Sequence, residues 1–378
     1  MINFLIITFL LLNHLGISQP VDEKAIKLKC DFANTGPVKM SEIISEIKYI
    51  SLETNPNCLI GNMNIPVFGK DIIIRSFTGS VNGADGIYRF SDKGQFLNKI
   101  GNIGRGPGEY QDYTDVVQVG DTVFIVSNFS NDIFCYSIAG NFLKKYHIDM
   151  QSRPKSLVEL PDKSFMIAFS NPGDIGILLR TDKSFNFKKG YKINVPFKNN
   201  PLPFGFKKST NKVLFYYNYL DTIFDVSKGY PIPSIIIDYG KYRTAREKLS
   251  MDENNNAVLN KPSIIDFSAS DEYLSLYVYY PFSRSTYNIL YRITDGKQFI
   301  WTNLINNLDN GVLERWPGFL FENNLVFHLL PSTILKRFEN MTKAEKLDPI
   351  NSGFVNMASK ITLESNPVIM ICKLKKSN

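Results

Sequence analysis

The sequence has few of the residues on which hydrolases and metalloenzymes usually depend. It contains three histidines and two tryptophans in 378 residues. It has no histidine pair at metal-binding spacing and no Gly-x-Ser-x-Gly nucleophile elbow. His328, within an apolar run, is at most a weak acid–base candidate, because a lone histidine in such a run is more often a packed core residue. The sequence therefore offers no recognisable catalytic machinery.

Cysteine is also scarce, and this excludes a fold held together by disulfides. The chain has four cysteines, too few for a disulfide scaffold at this length. Cys135 and Cys372 lie in apolar strand-like runs, which predicts buried thiols. A bridge between Cys30 and Cys58 is left open, because spacing alone does not establish a pairing.

Long apolar runs are absent after the N-terminus. The run from Phe4 to Leu12 is interrupted only by Thr8 and is too short to span a bilayer, but it has the length of a signal-peptide core. Gly16 and Ser18 are the small residues expected before a cleavage site. The pattern predicts a signal peptide over residues 1–18, cleavage before Gln19, no transmembrane segment, and a soluble mature chain in the periplasm or outside the cell.

The charge is positive but diffuse. The net charge is +7, and the densest basic cluster is Lys373, Lys375 and Lys376 near the C-terminus. An exported protein rarely meets nucleic acid, so we expect a solvated surface with a mild preference for acidic glycans or anionic membranes. The 28 phenylalanines and 19 tyrosines favour β-structure.

Repetition is the strongest signal in the chain. Residues 86–99 and 132–145 match in register as hairpins with a glycine turn, and weaker copies surround Gly229 and Gly296. Before each unit stands a polar turn followed by an apolar strand. The six predicted strands are Ile72–Arg75, Val123–Ser127, Phe165–Ser170, Val213–Tyr217, Tyr273–Tyr279 and Leu325–Leu330. Six units of four short strands predict an all-β fold, a six-bladed β-propeller.

The two ends of the chain are predicted to meet. The last unit lacks an outermost strand, and the segment Ile47–Glu53 is a spare strand at the N-terminus. We expect it to pair with the final apolar segment near Met370 and so close the ring. The predicted organisation is a signal peptide (1–18), an N-terminal lead-in (19–46) and the propeller (47–378), with small helical insertions on one face. One insertion is predicted to be helical because Thr244 and Glu247 have capping-box spacing, and the other because Ile334, Leu335, Phe338 and Met341 form an apolar stripe, which we expect to pack onto the body.

A glycine-rich stretch, Ile100–Tyr110, holds four glycines in eight residues. A phosphate-binding loop would run directly into a helix, but Pro107 interrupts this stretch and a strand-like run follows it. We interpret it as a tight connection between strands that presents Arg105, Glu109 and Tyr110.

Residues 103–110, together with Tyr49–Thr54, resemble the signature of an exported six-bladed β-propeller family widespread in Bacteroidetes, which shares its architecture with NHL and TolB-like propellers. The resemblance implies fold and export, and it implies no activity.

Long connections are predicted at one end of the ring, where binding sites usually lie. Arg75, Arg105, Arg153 and Arg284 could converge there on a carboxylate or a uronic acid; solvated arginines or salt bridges between blades are the alternative. Tyrosines could stack on sugar rings or simply pack between blades. The tyrosines and the phenylalanine concerned are Tyr217, Tyr219, Tyr279, Tyr280 and Phe282.

Calcium is a further possibility at the same end. Asn128, Asn171, Asn218 and Asp221 could supply oxygen ligands to Ca²⁺ in the channel. Ordinary turn chemistry, which favours these residue types, is the preferred explanation for them.

The function predicted from these observations is an exported, non-catalytic binding or scaffold protein that recognises a glycan, a peptide or an envelope protein. A Ca²⁺-assisted hydrolase or lyase of the lactonase kind is the alternative, and a sensor or adaptor that uses residues 334–341 is a third. The candidate ligand-binding residues are Arg75, Arg105, Glu109, Tyr110, Asn128, Asn218, Tyr219, Arg284 and His328.

Overall fold

A computed structural model gives the structure of the chain. The described residues are 25–33, 35–63, 67–77, 86–127, 129–150, 152–169, 176–194, 204–218, 220–242, 262–280, 283–313 and 318–376. The predicted signal peptide and its cleavage site lie outside them.

The described residues form six blades arranged as a β-propeller. The N-terminal part holds β1 (Ile26–Lys29), β2 (Val38–Lys39), helix α1 (Met40–Ile43) and β3 (Ile44–Ser51). Blade 1 consists, from the inside outwards, of β4 (Asn62–Met63) with β5 (Val67–Phe68), β6 (Ile72–Phe77), β7 (Gly86–Phe90) and β8 (Phe96–Lys99). Blade 2 consists of β9 (Asp115–Val119), β10 (Thr122–Val126), β11 (Asp132–Ser137) and β12 (Phe142–His147). Blade 3 consists of β13 (Pro154–Glu159), β14 (Phe165–Phe169), β15 (Leu178–Thr181) and β16 (Phe187–Tyr191).

The second half of the ring repeats this arrangement. Blade 4 consists of β17 (Phe204–Lys208), β18 (Val213–Tyr217), β19 (Thr222–Asp225) and β20 (Ile232–Asp238), followed by a 3-10 turn at Gly240–Tyr242. Blade 5 consists of β21 (Ser263–Ala269), β22 (Tyr273–Tyr280), β23 (Ser285–Arg292) and β24 (Gln298–Trp301), and β25 (Leu304–Ile305) follows it. Blade 6 consists of β26 (Phe319–Phe321), β27 (Asn324–Leu329), β28 (Val368–Leu374) and β3. Between β27 and β28 lie α2 (Pro331–Asn340), α3 (Lys343–Leu347), a 3-10 turn at Pro349–Asn351, and α4 (Ser352–Ala358).

The ring closes where the sequence predicts. Strand β3 pairs antiparallel with β28, with Tyr49 opposite Met370 and Ile50 opposite Ile369. At the inner edge, Phe68 of blade 1 packs on Phe319 of blade 6, with ring centroids 5.8 Å apart. The prediction that the N-terminal strand completes the last blade is confirmed.

The six predicted apolar strands are the second strands of the six blades, and they are buried because blades cover both of their faces. The turns that follow the third strand have glycine in the left-handed region, with φ of 83° at Gly94, 89° at Gly140, 82° at Gly229 and 72° at Gly296. Other residues adopt this conformation only with strain, so the repeat in the sequence is a repeat of backbone geometry.

Two of these glycines also allow neighbouring blades to approach closely. A Cβ on Gly140 of blade 2 would lie 2.2 Å from the carbonyl oxygen of Lys99, at the end of the outer strand of blade 1. A Cβ on Gly94 of blade 1 would lie 2.3 Å from the carbonyl oxygen of Ser51 in β3. The carbonyl of Gly94 in turn accepts a 2.7 Å hydrogen bond from the Glu53 N–H.

The described part of the lead-in adds strands that the sequence patterns do not predict. Strand β1 pairs in parallel with β20 and gives blade 4 a fifth, outermost strand. Phe32 then packs among four tyrosines of blades 4 and 5, with its ring centroid 4.4 Å from that of Tyr287. Strand β2 pairs with β25. This segment therefore runs along blades 4 and 5 before it enters blade 6.

The helical insertion packs onto the body of the propeller. Ile334 and Met341 are buried, and Leu335 and Phe338 pack partly buried against the same cluster. The apolar stripe predicted over residues 334–341 thus faces the core of blade 6, which leaves little of it for the partner contact of the sensor hypothesis. The predicted helix start at Thr244 and Glu247 lies outside the described residues.

All four cysteines are free and buried. Cys30 lies in the cluster shared by blades 4 and 5, whereas Cys58 lies in the cluster shared by blades 6 and 1. The open possibility of a Cys30–Cys58 bridge is therefore wrong, because the two residues pack in different clusters of the ring. Burial raises the pKa of the Cys135 thiol to about 12, so it stays protonated at neutral pH.

Two substitutions can separate the energetic effect of the close contact at Gly140 from the effect of its positive φ. Gly140→Ala should lower the free energy of unfolding by more than about 2 kcal/mol, because it adds a clash with Lys99 to the strain of a positive φ. Gly120→Ala is the matched control: Gly120 has φ of 58° but nothing within 4 Å of the added Cβ, so only about 1 kcal/mol should be lost. Urea unfolding followed by circular dichroism measures both, and equal losses would contradict the role of the contact between blades.

Ring closure can be tested by truncation. Removal of residues 1–53 deletes β1 to β3 and leaves β28 without its outer partner, so the single cooperative unfolding transition should be lost. Removal of residues 1–24 leaves every described strand in place and should leave the transition unchanged. Calorimetry of the two truncated chains gives the answer, and a cooperative transition in the first would argue against closure as the source of cooperativity.

Candidate functional site

The long connections of the propeller gather at one end of the ring, which we call the long-loop face. They join consecutive blades or link second to third strands, as in residues 100–114, 239–262, 306–318 and 330–367. At the opposite end, the short-turn face, connections such as residues 69–71, 120–121, 209–212 and 322–323 are much shorter. The predicted asymmetry of the loops is present.

Arg75 reaches the channel wall near the long-loop face. It lies on β6, on the side that faces blade 2, and neither innermost strand of blade 1 pairs with it: β4 pairs with Ser76 and Phe77, and β5 with Ile72 and Ile73. The guanidinium Nη1 lies 3.6 Å from Asp115 Oδ1 on β9. Its Nε is buried and has no hydrogen-bond partner. Because buried donors are normally paired, Arg75 has capacity left for an acceptor.

Asp115 links the first three blades at this level. Its Oδ2 accepts a 2.7 Å hydrogen bond from Ser156 Oγ and a 3.1 Å bond from the Leu157 N–H, both on β13. Ser156 Oγ in turn accepts from the Phe206 N–H of blade 4 at 3.4 Å. Arg75 of blade 1 completes the chain of contacts across four blades.

The same pattern continues around the innermost strands. Lys207 of blade 4 forms an ion pair with Asp266 of blade 5, with 3.3 Å between Nζ and Oδ1. Ser268 Oγ of blade 5 accepts a 2.9 Å hydrogen bond from the Leu320 N–H of blade 6. Polar contacts thus run along the wall of the channel and connect adjacent blades.

Tyr216 of blade 4 lies close to both channel carboxylates. Burial, with the negative charges of Asp266 and Asp115 as further causes, raises the pKa of its phenol well above the usual value. The hydroxyl therefore stays neutral at physiological pH. It could donate a hydrogen bond to an acceptor but could not act as a base.

Two of the predicted residues in the glycine-rich stretch have structural roles. Tyr110 is fully buried, and its hydroxyl donates to the carbonyl of Ile100 at 3.2 Å. Glu109 Oε2 accepts a 2.8 Å hydrogen bond from the Gly106 N–H and holds the stretch in its conformation. The expectation that the connection presents Tyr110 is therefore wrong, because its ring packs inside the blade 1–blade 2 cluster. Arg105 is exposed, with no ion pair to a described residue.

The remaining candidates are dispersed around the ring. Arg284 is exposed in the turn between β22 and β23, and Arg153 is exposed just before β13. Asn218 is buried after β18, and its Oδ1 has no partner. His328 lies on β27, the second strand of blade 6, as predicted for the segment Leu325–Leu330.

Of the predicted stacking residues, Tyr217 is fully buried and packs between blades 3 and 4, while Tyr279 and Tyr280 are half-buried. The remaining predicted residues lie outside the described part of the chain: Asn128, Asn171, Tyr219 and Phe282.

Within the described ranges, no three histidine, cysteine, aspartate or glutamate side chains come together as a group able to hold a metal ion. Asp221 and Asn218 are the described members of the calcium set considered from the sequence, and the other two members fall in the part that is not described. The described residues alone therefore provide no calcium site of the usual six to eight oxygen ligands.

Sequence reasoning missed the residues that build the channel wall: Asp115, Ser156, Lys207 and Asp266. They lie on first strands, whereas the repeat signal marks second and third strands. A usable signal was present, because Asp115 and Asp266 each directly precede an apolar innermost-strand residue and accept its N–H, at 2.9 Å from Val116 and 2.8 Å from Phe267.

Comparison with known proteins agrees with the fold. The model of a domain of unknown function, DUF4934, matches residues 23–373. The chain belongs to the DUF4934 family. A crystal structure from Bacteroides fragilis, described as a candidate exported protein, matches 93% of this chain and 100% of its own with a TM-score of 0.74 and 17% identity. A member of the DUF4221 family from Bacteroides vulgatus matches 89% of this chain and 98% of its own, with a TM-score of 0.53 and 9% identity.

At these identities the likeness shows the shared propeller fold. No curated protein matches the sequence. The helices of the described ranges are all too short or too polar to cross a membrane.

The free energies of unfolding of two variants can distinguish the structural role of Asp115 from the predicted ligand-binding role of Arg75. Asp115→Ala leaves Ser156 Oγ and the Leu157 N–H without their acceptor and should lower the free energy of unfolding by about 2–3 kcal/mol. Arg75→Met keeps the aliphatic stem and should cost less than about 1 kcal/mol, because its contact to Asp115 is long and its Nε is unpaired. Urea unfolding compares the two; a larger loss for Arg75→Met would make Arg75 a structural residue.

Proposed function

We propose that the protein is an exported, non-catalytic binding protein whose long-loop face holds a carboxylate-bearing ligand, an acidic glycan, over the mouth of the channel. Export is supported by the signal-peptide pattern in residues 1–18 and by the fold shared with a candidate exported protein. The peptide and envelope-protein partners considered from the sequence are other outcomes of the tests below.

The buried, unpaired Nε of the partly buried Arg75 side chain is the observation that carries the proposal. A buried N–H without an acceptor costs free energy that a ligand oxygen would recover. Arginine offers donors in a planar fork that matches a carboxylate, and such charge-assisted hydrogen bonds are among the strongest in proteins. The contact to Asp115, at 3.6 Å, is too long to satisfy the fork.

Other groups on the long-loop face, dispersed around the ring, favour a polar, extended ligand. Arg105 and Arg284 are exposed on the same face and form no ion pair with described residues. Phe129, in the blade 2 connection on this face, is 72% exposed and could stack on a sugar ring. On the opposite side of the ring, the unpaired Oδ1 of Asn218 could accept from a ligand hydroxyl.

The alternative, a Ca²⁺-assisted hydrolase or lyase, has less support. It requires several oxygen ligands around one cation. The described carboxylates near the channel, Asp115 and Asp266, are each engaged by a cation and by backbone N–H groups. They are therefore better placed to hold the blades together than to bind a metal.

A glycan array with the chain from Gln19 onwards tests the proposal. Glycans that contain uronic acids should bind, and their neutral counterparts should not. Arg75→Met should weaken binding about tenfold or more, the equivalent of losing one charge-assisted pair. Lys70→Met, which removes the same charge from an exposed position on the short-turn face, should leave the affinity unchanged.

Three results would contradict the proposal. They are an empty array together with an empty screen of carboxylate-bearing peptides, equal binding of acidic and neutral glycans, and equal affinity in the wild-type and Arg75→Met proteins. Capture of peptides alone, with the same dependence on Arg75, would keep the site and change the ligand class.

A further inference from the structure

A cavity lies far from the channel, at the outer rim between blades 5 and 6. Its volume is about 350 Å³. Helix α1, just before β3, forms one wall, and the outer strands of blade 5 form the other. Ile43, Leu290 and Phe299 line it with apolar surface, and Tyr273 closes its inner end by donating a 2.5 Å hydrogen bond to the carbonyl of Lys375.

The charged side chains around this cavity are mainly basic. Four cationic side chains and two carboxylates line it, and they are Arg292, Lys297, Lys375, Lys376, Glu42 and Asp295. Two of the lysines belong to the C-terminal cluster that stands out in the sequence. The fold thus joins this cluster to a third lysine from the blade 5 hairpin.

Both carboxylates are already engaged. Asp295 Oδ1 accepts a 2.9 Å hydrogen bond from Arg292 Nε, and its other oxygen accepts from Nη2 of the same guanidinium. Glu42 Oε1 accepts from the Lys39 N–H at the start of α1, at 3.0 Å. Asp295 is therefore neutralised by Arg292, whereas Glu42 keeps its negative charge; three lysines against this one carboxylate leave the lining with a net positive charge.

The lysines are less fully engaged. Lys375 Nζ donates to the carbonyl of Ser41 at 2.6 Å, an acceptor that carries no formal charge. Lys297 Nζ lies 4.9 Å from the ring centroid of Phe299, a cation–π contact. Lys297 and Lys376 are exposed, and neither forms an ion pair with a described residue. The cavity therefore holds an excess of positive charge beside an apolar wall.

We propose that this cavity binds an organic phosphate. Lysine ammonium groups are compact charges that suit phosphate, and a phosphate carrying close to two negative charges matches the unneutralised lysines better than a single carboxylate. The accessible part of the Phe299 ring would pack against the organic part. A volume near the lower end for small-molecule sites limits the ligand to about one sugar unit or one lipid headgroup. This inference is independent of the proposed glycan site.

Calorimetric titration of the chain from Gln19 with glucose 6-phosphate, inorganic phosphate and glucose tests the soluble form of the ligand. Flotation with phosphatidylcholine vesicles that contain phosphatidic acid tests the headgroup form. We expect saturable binding of glucose 6-phosphate, weaker binding of inorganic phosphate and no binding of glucose. Lys297→Gln with Lys376→Gln should weaken binding about tenfold or more.

The matched control is Lys373→Gln with Lys360→Gln, which removes the same charge from two exposed lysines that do not line the cavity. It should retain wild-type affinity, and so should Arg75→Met. Vesicle binding alone, with the same dependence on Lys297 and Lys376, would support the lipid headgroup as the source. Absence of binding in both assays, equal effects of the two double substitutions, or inorganic phosphate binding as tightly as glucose 6-phosphate would overturn the proposal.

Discussion

The pairing of β3 with β28 is the contact on which the rest of the structure depends. It places Tyr49 beside Met370 and gives blade 6 its outermost strand from the opposite end of the chain. The Tyr49 hydroxyl then donates to the buried carboxylate of Asp309 at 2.6 Å, so the closing strand is also tied to the connection between blades 5 and 6. Without this pairing, β28 would be an exposed edge strand, and no strand would link the two ends of the chain to close the ring.

Closure also fixes how closely adjacent blades must approach. In blades 1 and 2, the turn after the third strand contacts the end of the preceding blade's outer strand, through Gly94 at Ser51 and Gly140 at Lys99. A side chain at either glycine would push the blades apart, so the left-handed turn serves both the hairpin and the ring. The strand β1 and the aromatic contacts of Phe32 add a further restraint across blades 4 and 5.

The parts of this architecture that could be predicted are those with a local pattern in the sequence. The second strands and the glycine turns repeat, and the spare strand around Tyr49 was evident because the last unit was one strand short. The channel wall could not be predicted, because the partners of Asp115 are distant in sequence. Ser156 lies 41 residues after it and Arg75 lies 40 residues before it, and only the folded ring brings them into contact. The prediction that Tyr110 is exposed was wrong for a related reason. The glycines around it suggested an exposed connection, but its ring packs against Tyr136 of the next blade.

The distribution of ion pairs separates the two faces of the ring. Near the short-turn face, Asp71 accepts a 2.8 Å hydrogen bond from Arg89 Nε, and Asp162 pairs with Arg180 in the equivalent positions of blade 3. These arginines lie on third strands and pair with a carboxylate of their own blade, and Arg89 also donates to the carbonyl of Ile138 in blade 2. On the long-loop face, Arg337 is paired with Glu345 inside the helical insertion, whereas Arg105 and Arg284 are exposed and Arg75 holds a buried N–H without an acceptor. The Nε of Arg75 is thus left without a partner inside the fold, and it is the group to which the proposed anionic ligand would bind.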